Sequence, residues 1–228
     1  MAIVKINPIA ISGHWHSGVA MDLHTISSTP VGYNDFGYMQ FETVRPEMAE
    51  LLFRLKNRAD RSAAAPSIET VADFLGHHRD KFDAIVPVPP SHPRAVQPVI
   101  IMAEGIGQAL GIPVLSCITT TRPTGQLKNI TDPDERKEHV KGLYTVDAAQ
   151  TRGRKILLFD DLFRSGTTMN AITDVLLDAG QAQVVRAPQS TNQQQQQPLQ
   201  QSRLWRTQGV DRLLCARRQQ SQLSCSSG

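Results

Sequence analysis

The sequence predicts an α/β protein built on a central, mainly parallel sheet flanked by helices. Residues 82–88 (FDAIVPV) and 156–159 (ILLF) are short apolar runs, the pattern that strands buried on both faces require. Each leads into an amphipathic helical pattern closed by glycine, 96–110 before Gly111 and 167–179 before Gly180. Residues 112–118 again read as a strand, completing the strand, helix, strand order of a parallel unit.

The remaining elements follow along the chain. Residues 1–45, rich in Gly, His, Ser and Thr, show strand-like alternation broken by turn residues and read as a small, partly β appendage. Residues 46–58 open with Pro46 and Glu47, repeat apolar Met48, Leu51, Leu52 and Leu55 at helical spacing, and end in bases, which predicts an amphipathic helix. A breaker at 63–67 precedes a second helix over 68–77. The polar stretch 119–142 reads as a long loop, a length that compact domains keep for function or leave disordered. A short strand at 143–146 follows, and 183–186 begins another. From 187 onward twelve of 42 residues are Gln, leaving too few apolar side chains to offset the entropy of ordering, so the tail is expected to be disordered. The predicted boundaries are therefore 1–45, 46–187 and 188–228.

At 228 residues and 40% apolar, the chain has length for one domain with appendages. No run of about 18 uncharged apolar residues occurs, and the N-terminus lacks the features of a signal peptide. Cys117, Cys215 and Cys225 are scattered, which disfavours a disulfide framework or a thiolate zinc site and fits a reducing cytoplasm. The formal charge of +3 is misleading. Residues 187–228 carry five Arg against Asp211 alone, which leaves the rest of the chain at −1. Composition therefore gives no support for a nucleic-acid-binding core, and the dispersed tail arginines read as solvated.

The chemistry concentrates at 156–168 (ILLFDDLFRSGTT). A buried strand delivers Asp160 and Asp161 to its C-terminal edge, where parallel sheets bind ligands. Adjacent carboxylates repel, but a sugar diol would give both a use, because each can accept charge-assisted hydrogen bonds from hydroxyls. Arg164, Ser165, Gly166, Thr167 and Thr168 then combine a residue without Cβ, three hydroxyls and a cation at a helix start, where unpaired N–H groups and the helix dipole favour an anion. Diol acceptors beside a phosphate cradle match the two ends of a ribose 5-phosphate. An acidic pair after a strand also occurs in phosphoacceptor domains and magnesium-dependent phosphatases; the turn that follows argues against both. His14, His16 and His24 read as surface or satisfied side chains rather than metal ligands, and His77-His78 as dipole placement at a helix end.

The segment resembles the phosphoribosyl-diphosphate (PRPP) loop of type I phosphoribosyltransferases. The blocks LLFRLKNRAD (51–60), AIVPVPPSHPR (84–94), RPTGQLKN (122–129) and ERKEHVKGLYTVD (135–147) resemble the ComF-like branch of that superfamily. The resemblance covers roughly residues 50–187. It implies the type I phosphoribosyltransferase fold and a magnesium-dependent transfer of the phosphoribosyl group with release of pyrophosphate. Asp160 and Asp161 would hold the ribose hydroxyls, and 164–168 the 5′-phosphate. Pro90, Ser91 and Arg94 would form the pyrophosphate loop. Arg122, Gln126 and Lys128 would lie on a flexible lid, with Arg122 and Lys128 also catalytic candidates. Mg2+ would arrive chelated by PRPP. A homodimer is allowed for.

The chain also departs from that pattern. No Cys precedes 117, whereas the ComF branch usually opens with a zinc module, so a structural zinc is not expected. His139 stands where relatives commonly carry Asn. Arg164 replaces the Asp that serves the ring in purine salvage and cannot act as a base, which disfavours hypoxanthine or guanine as acceptor. Relatives continue past 184–186 into another apolar strand; here Ala-Pro and Gln follow, so an altered C-terminus near Ala187 is expected. The alternative function is a PRPP sensor without turnover, or a competence and DNA-uptake accessory protein.

Overall fold

The computed structural model describes residues 3–91, 94–123, 130, 132–163, 165–180 and 183–191. In chain order the strands are β1 (Ile9–Ala10), β2 (Ser17–Ala20), β3 (Ser27–Tyr33), β4 (Met39–Val44), β5 (Ala84–Pro87), β6 (Ile118–Thr120), β7 (Tyr144–Val146), β8 (Lys155–Phe163) and β9 (Gln183–Thr191). The helices are α1 (Glu47–Asn57), α2 (Ala64–Gly76), α3 (Pro98–Leu110), α4 (Pro133–Val140), α5 (Ala148–Thr151) and α6 (Thr167–Asp178). Five strands form one sheet in the order β1-β2-β9-β8-β5, parallel throughout except where β1 runs against β2. The predicted class, a mainly parallel sheet flanked by helices, is the observed one.

Period-2 alternation builds two cores from one strand. Along β8, Leu157 and Phe159 face the layer of α1, α2 and α3, together with Ile85 of β5. Ile156 and Leu158 face the opposite way, with Ala84 and Val86, toward α6, α4 and β7. Phe159 is wholly buried, and truncating a core Phe to Ala costs about 3–5 kcal/mol. Helix α1 behaves as its pattern dictates: Met48, Leu51, Leu52 and Leu55 are buried, Glu47 and Glu50 occupy the first turn, and Arg54 and Lys56 the last. Helix α3 starts with Pro98 and ends at Gly111, whose φ of +63° is the left-handed cap its position requires.

Several boundaries differ from the sequence expectation. Residues 1–45 do not form one appendage: β2 pairs in parallel with β9, and β1 extends that edge, so Val19, Ala20 and Met21 are fully buried in the main body. Only the β3–β4 hairpin stands apart, as a separate two-stranded sheet. Residues 63–67 do not interrupt the chain. Asp60 accepts from the Ser62 N–H, and α2 begins at Ala64 with Pro66 in its first turn, where a missing N–H does no harm.

Residues 112–118 supply a single parallel bridge, Val114 to Ile85, rather than a strand; the β-structure begins at Ile118. The stretch 119–142 is not one loop, since β6 pairs antiparallel with β7 and α4 occupies its second half; Asp132 caps α4 by accepting from the Asp134 and Glu135 N–H groups. Finally, β9 runs to Thr191, past the expected boundary at 187, and β8 keeps pairing with it through Phe163.

Candidate functional site

Strands β5 and β8 lie side by side and end at the same edge of the sheet. Pro87 pairs with Phe159, and the Val88 N–H donates to the Phe159 carbonyl at 2.8 Å. That bond fixes the start of the turn carrying Pro90, Ser91 and Arg94 one residue from Asp160. Ser91 and Arg94 are exposed; His92 and Pro93 lie outside the described residues. The two loops singled out in the sequence thus leave from adjacent parallel strands, the place where such sheets bind ligands.

The carboxylate pair is arranged differently from a simple strand end. Both aspartates lie within β8, past its last pair with β5, and Asp160 is in register with Pro188 of β9. The extension of β9 to Thr191 is the cause. Consecutive strand residues alternate in direction, and the contacts follow that rule. Asp161 accepts a hydrogen bond from Lys56 Nζ at 2.6 Å on the α1 side of the sheet. Asp160 Oδ1 accepts the Asp161 N–H at 2.8 Å. The Lys56–Asp161 pair is mostly covered, with 27% and 16% of the side chains exposed, so it is screened less than a surface pair. Lys56 was missed by the sequence analysis, which read it only as a base favourable to the end of its helix; its presence in the 51–60 block was the available signal.

The turn after β8 opens directly into a helix. Gly166 is the N-cap of α6 at φ +77°, no side chain caps the helix, and the first intrahelical bond runs from the Asn170 N–H to the Gly166 carbonyl. Among the described residues no side chain caps the early N–H groups of α6, the end of a helix that favours an anion. Gly166 is buried beneath aromatic rings: a Cβ would stand 3.0 Å from Phe163, and Trp15 packs edge-on to Phe163 with 6.2 Å between centroids. Ser165 and Thr167 share a hydroxyl contact of 2.9 Å, and Thr168 is half-buried. Arg164 lies outside the described residues.

The N-terminal segment holds this turn in place. The Trp15 indole donates to the Ile11 carbonyl, the His14 N–H donates to Asn170 Oδ1, and His14 Nδ1 lies 2.7 Å from Asp174 Oδ1. A cleft of about 590 Å3 opens beside it. One wall is α6 with Ser165, Thr167 and Asp174; the other carries Lys137, Lys141 and Tyr144 from the α4–β7 segment. Its lining includes the hydroxyls of the turn but not the carboxylates.

The lid candidates are only partly described. Gln126 and Lys128 fall outside the described residues. Arg122 does not point its Nη2 at the carboxylate pair; it donates to the carbonyls of His139 at 2.8 Å and Lys141 at 3.2 Å, tying the start of the 119–142 stretch to its end. His139 Nδ1 contacts the Glu135 carbonyl within α4. Cys117 is buried beside this ribbon, and burial pushes its thiol up to about 11, so it remains protonated at neutral pH. No group of three or more His, Cys, Asp or Glu side chains suited to a metal occurs among the described residues.

The chain is similar to an amidophosphoribosyltransferase. The relative is the enzyme of Methanothermobacter thermautotrophicus (strain Delta H), 31% identical over 107 residues, and the match covers 47% of this chain and 21% of the relative. The chain thus matches about a fifth of that protein's length. Among solved structures, the Bacillus subtilis glutamine PRPP amidotransferase aligns at 19% identity over 68% of this chain and 34% of its own, with a TM-score of 0.41. Adenine phosphoribosyltransferase of Leishmania tarentolae aligns at 13% identity over 71% and 79%, with a TM-score of 0.39. No family model matches. No helix among the described residues is long and apolar enough to cross a membrane.

Proposed function

We propose that the chain binds PRPP at the common edge of β5 and β8 and transfers its phosphoribosyl group to a nitrogen acceptor. The observation that carries this reading is the bond from the Val88 N–H to the Phe159 carbonyl, which sets the 89–94 turn beside the carboxylate pair, with an uncapped helix N-terminus one turn further along the chain. The ribose diol would be accepted by Asp160 and Asp161. The amides and hydroxyls of 165–168 would take the 5′-phosphate, and Ser91 and Arg94 would face the pyrophosphate. This is the assignment that the type I phosphoribosyltransferase and ComF-like resemblance also implies.

In the reaction the acceptor nitrogen forms a bond to ribose C1 as the bond from C1 to the pyrophosphate oxygen breaks. The electron pair leaves with pyrophosphate. Lys56 would hold Asp161 in its orientation, and amides fixed before the substrate arrives would hold the phosphate without reorganising. Mg2+ belongs to the substrate in this scheme and would enter chelated by PRPP. The similarity to an amidophosphoribosyltransferase makes ammonia the first acceptor to assay, ahead of amines and bases.

The test measures PRPP binding and pyrophosphate release with Mg2+ and a panel of acceptors. Release with any acceptor supports transfer; binding without release points to a PRPP sensor. Asp160→Asn combined with Asp161→Asn is expected to weaken PRPP binding at least about 100-fold through loss of charge-assisted bonds. Unchanged affinity in that variant would overturn the site.

A further inference from the structure

The segment Gly13–His16 has no part in the chemistry proposed above, yet it packs directly on the phosphate turn. Trp15 is buried, and three glycines make room for its indole. A Cβ at Gly13 would overlap the ring and Asn170 Oδ1, one at Gly18 would stand 2.5 Å from the indole Nε1, and one at Gly166 would lie 3.7 Å from the ring edge. Gly166 also needs its left-handed φ, but Gly13 and Gly18 have no positive φ; there the space taken by the indole and its neighbours is what excludes a side chain. The indole N–H is committed to the Ile11 carbonyl at 3.1 Å, so the ring is fixed at its polar end as well.

The backbone on either side of Trp15 is tied to two different elements. The His16 N–H donates to the Val184 carbonyl of β9 at 2.9 Å. On the other side the His14 N–H donates to Asn170 Oδ1 at 3.0 Å, and His14 Nδ1 lies 2.7 Å from Asp174 Oδ1. Asn170 is the residue whose own N–H donates to the Gly166 carbonyl at 2.8 Å. One asparagine therefore joins the N-terminal segment to the first turn of α6. A site built from backbone amides works when its supports hold those amides within about 0.5 Å before the ligand arrives.

We propose that Trp15 is a positioning residue for the phosphate end of the substrate, seating Gly166 while His14 holds Asn170. The role rests on the assignment of the 5′-phosphate to residues 165–168. Trp15 acts through the turn and not by contact with substrate. Its effect is selective, because the 89–94 turn leaves β5 and is fixed by the separate bond from Val88 to Phe159. Loosening the indole's seat disturbs the grip on ribose 5-phosphate and spares the grip on pyrophosphate.

Competition against PRPP in the presence of Mg2+, with ribose 5-phosphate and pyrophosphate as the two probes, tests the proposal on the full chain. An ångström of misplacement can cost on the order of 100-fold, so Trp15→Ala is expected to weaken ribose 5-phosphate at least about tenfold and pyrophosphate by less than about twofold. Trp15→Phe should recover part of the loss. Asn170→Ala removes the second tie without opening the core and should show the same selectivity if Trp15→Ala does not fold. With Trp205 replaced by Phe, Trp15 is the remaining tryptophan, and its emission should shift on adding ribose 5-phosphate but not pyrophosphate. Equal losses for the two probes, or unchanged affinity for ribose 5-phosphate in the folded variants, would overturn the role. A wild type that binds neither PRPP nor ribose 5-phosphate would instead remove the site assignment beneath it.

Discussion

Lys56 and Asp161 form the contact that most constrains the site. In the proposed site Asp161 accepts sugar hydroxyls, and a largely covered cation at 2.6 Å fixes its orientation. Lys56→Met should raise the KM for PRPP about tenfold with a smaller effect on kcat, and Lys56→Arg should recover most of the loss. A folding midpoint that moved while KM stayed constant would show the pair to be structural only. Gly166 is constrained in a second way, since its φ is left-handed and aromatic rings stand where a side chain would go. Gly166→Ala is expected to cost about 1–3 kcal/mol, to lower Tm by several degrees and to weaken PRPP binding as the amides shift. Differential scanning calorimetry with and without PRPP separates those effects. The motif made Gly166 legible, because only a residue without Cβ suits that turn. Lys56 was not, because its partner lies 105 residues away and nothing local distinguishes it from any basic helix end.

At the scale of elements, the end of α2 carries a pH dependence. His78 packs edge-on to Phe74, and burial, reinforced by His77, lowers its pKa to about 4. The folded value lies below the ordinary 6.5, so the unfolded chain takes up the proton first. The stability tied to neutral His78 is full above pH 6.5 and is lost as pH falls from there toward 4. Urea midpoints at pH 7 and pH 5 should therefore differ more for the wild type than for His78→Phe. Equal differences would assign the acid sensitivity to other groups. Element existence was readable wherever apolar periodicity was long, as in α1, α3 and α6. It failed where an element depends on its partner: 112–118 has strand composition but only Val114 reaches β5, whereas β2, with the sequence SGVA, is a strand because β9 lies beside it.

For the whole molecule, the N-terminal strands matter more than their composition suggests. Met21 and Val19 are fully buried in the core shared with α1 and α3, and Trp15 supports the turn over α6. Removing residues 3–24 should therefore not trim an appendage but abolish cooperative unfolding, which near-ultraviolet circular dichroism and a thermal scan would register. A truncated chain that still melted sharply would show that the sheet is complete without β1 and β2. The class of the fold, its two-sided core and the placement of the candidate site at one sheet edge were legible, because strands buried on both faces and glycine-closed helices leave local traces. The closure of the sheet was not, because it joins residues 17 and 18 to residues 185 and 186.

That closure carries a cost in time. A ribosome completes β2 long before β9, so β2 must wait for its parallel neighbour. Until then β2 has no parallel neighbour to pair with, and joining such distant segments is slow and exposes sticky intermediates. Refolding from denaturant should accordingly end in a late phase in which Trp15 fluorescence reports the arrival of the N-terminus.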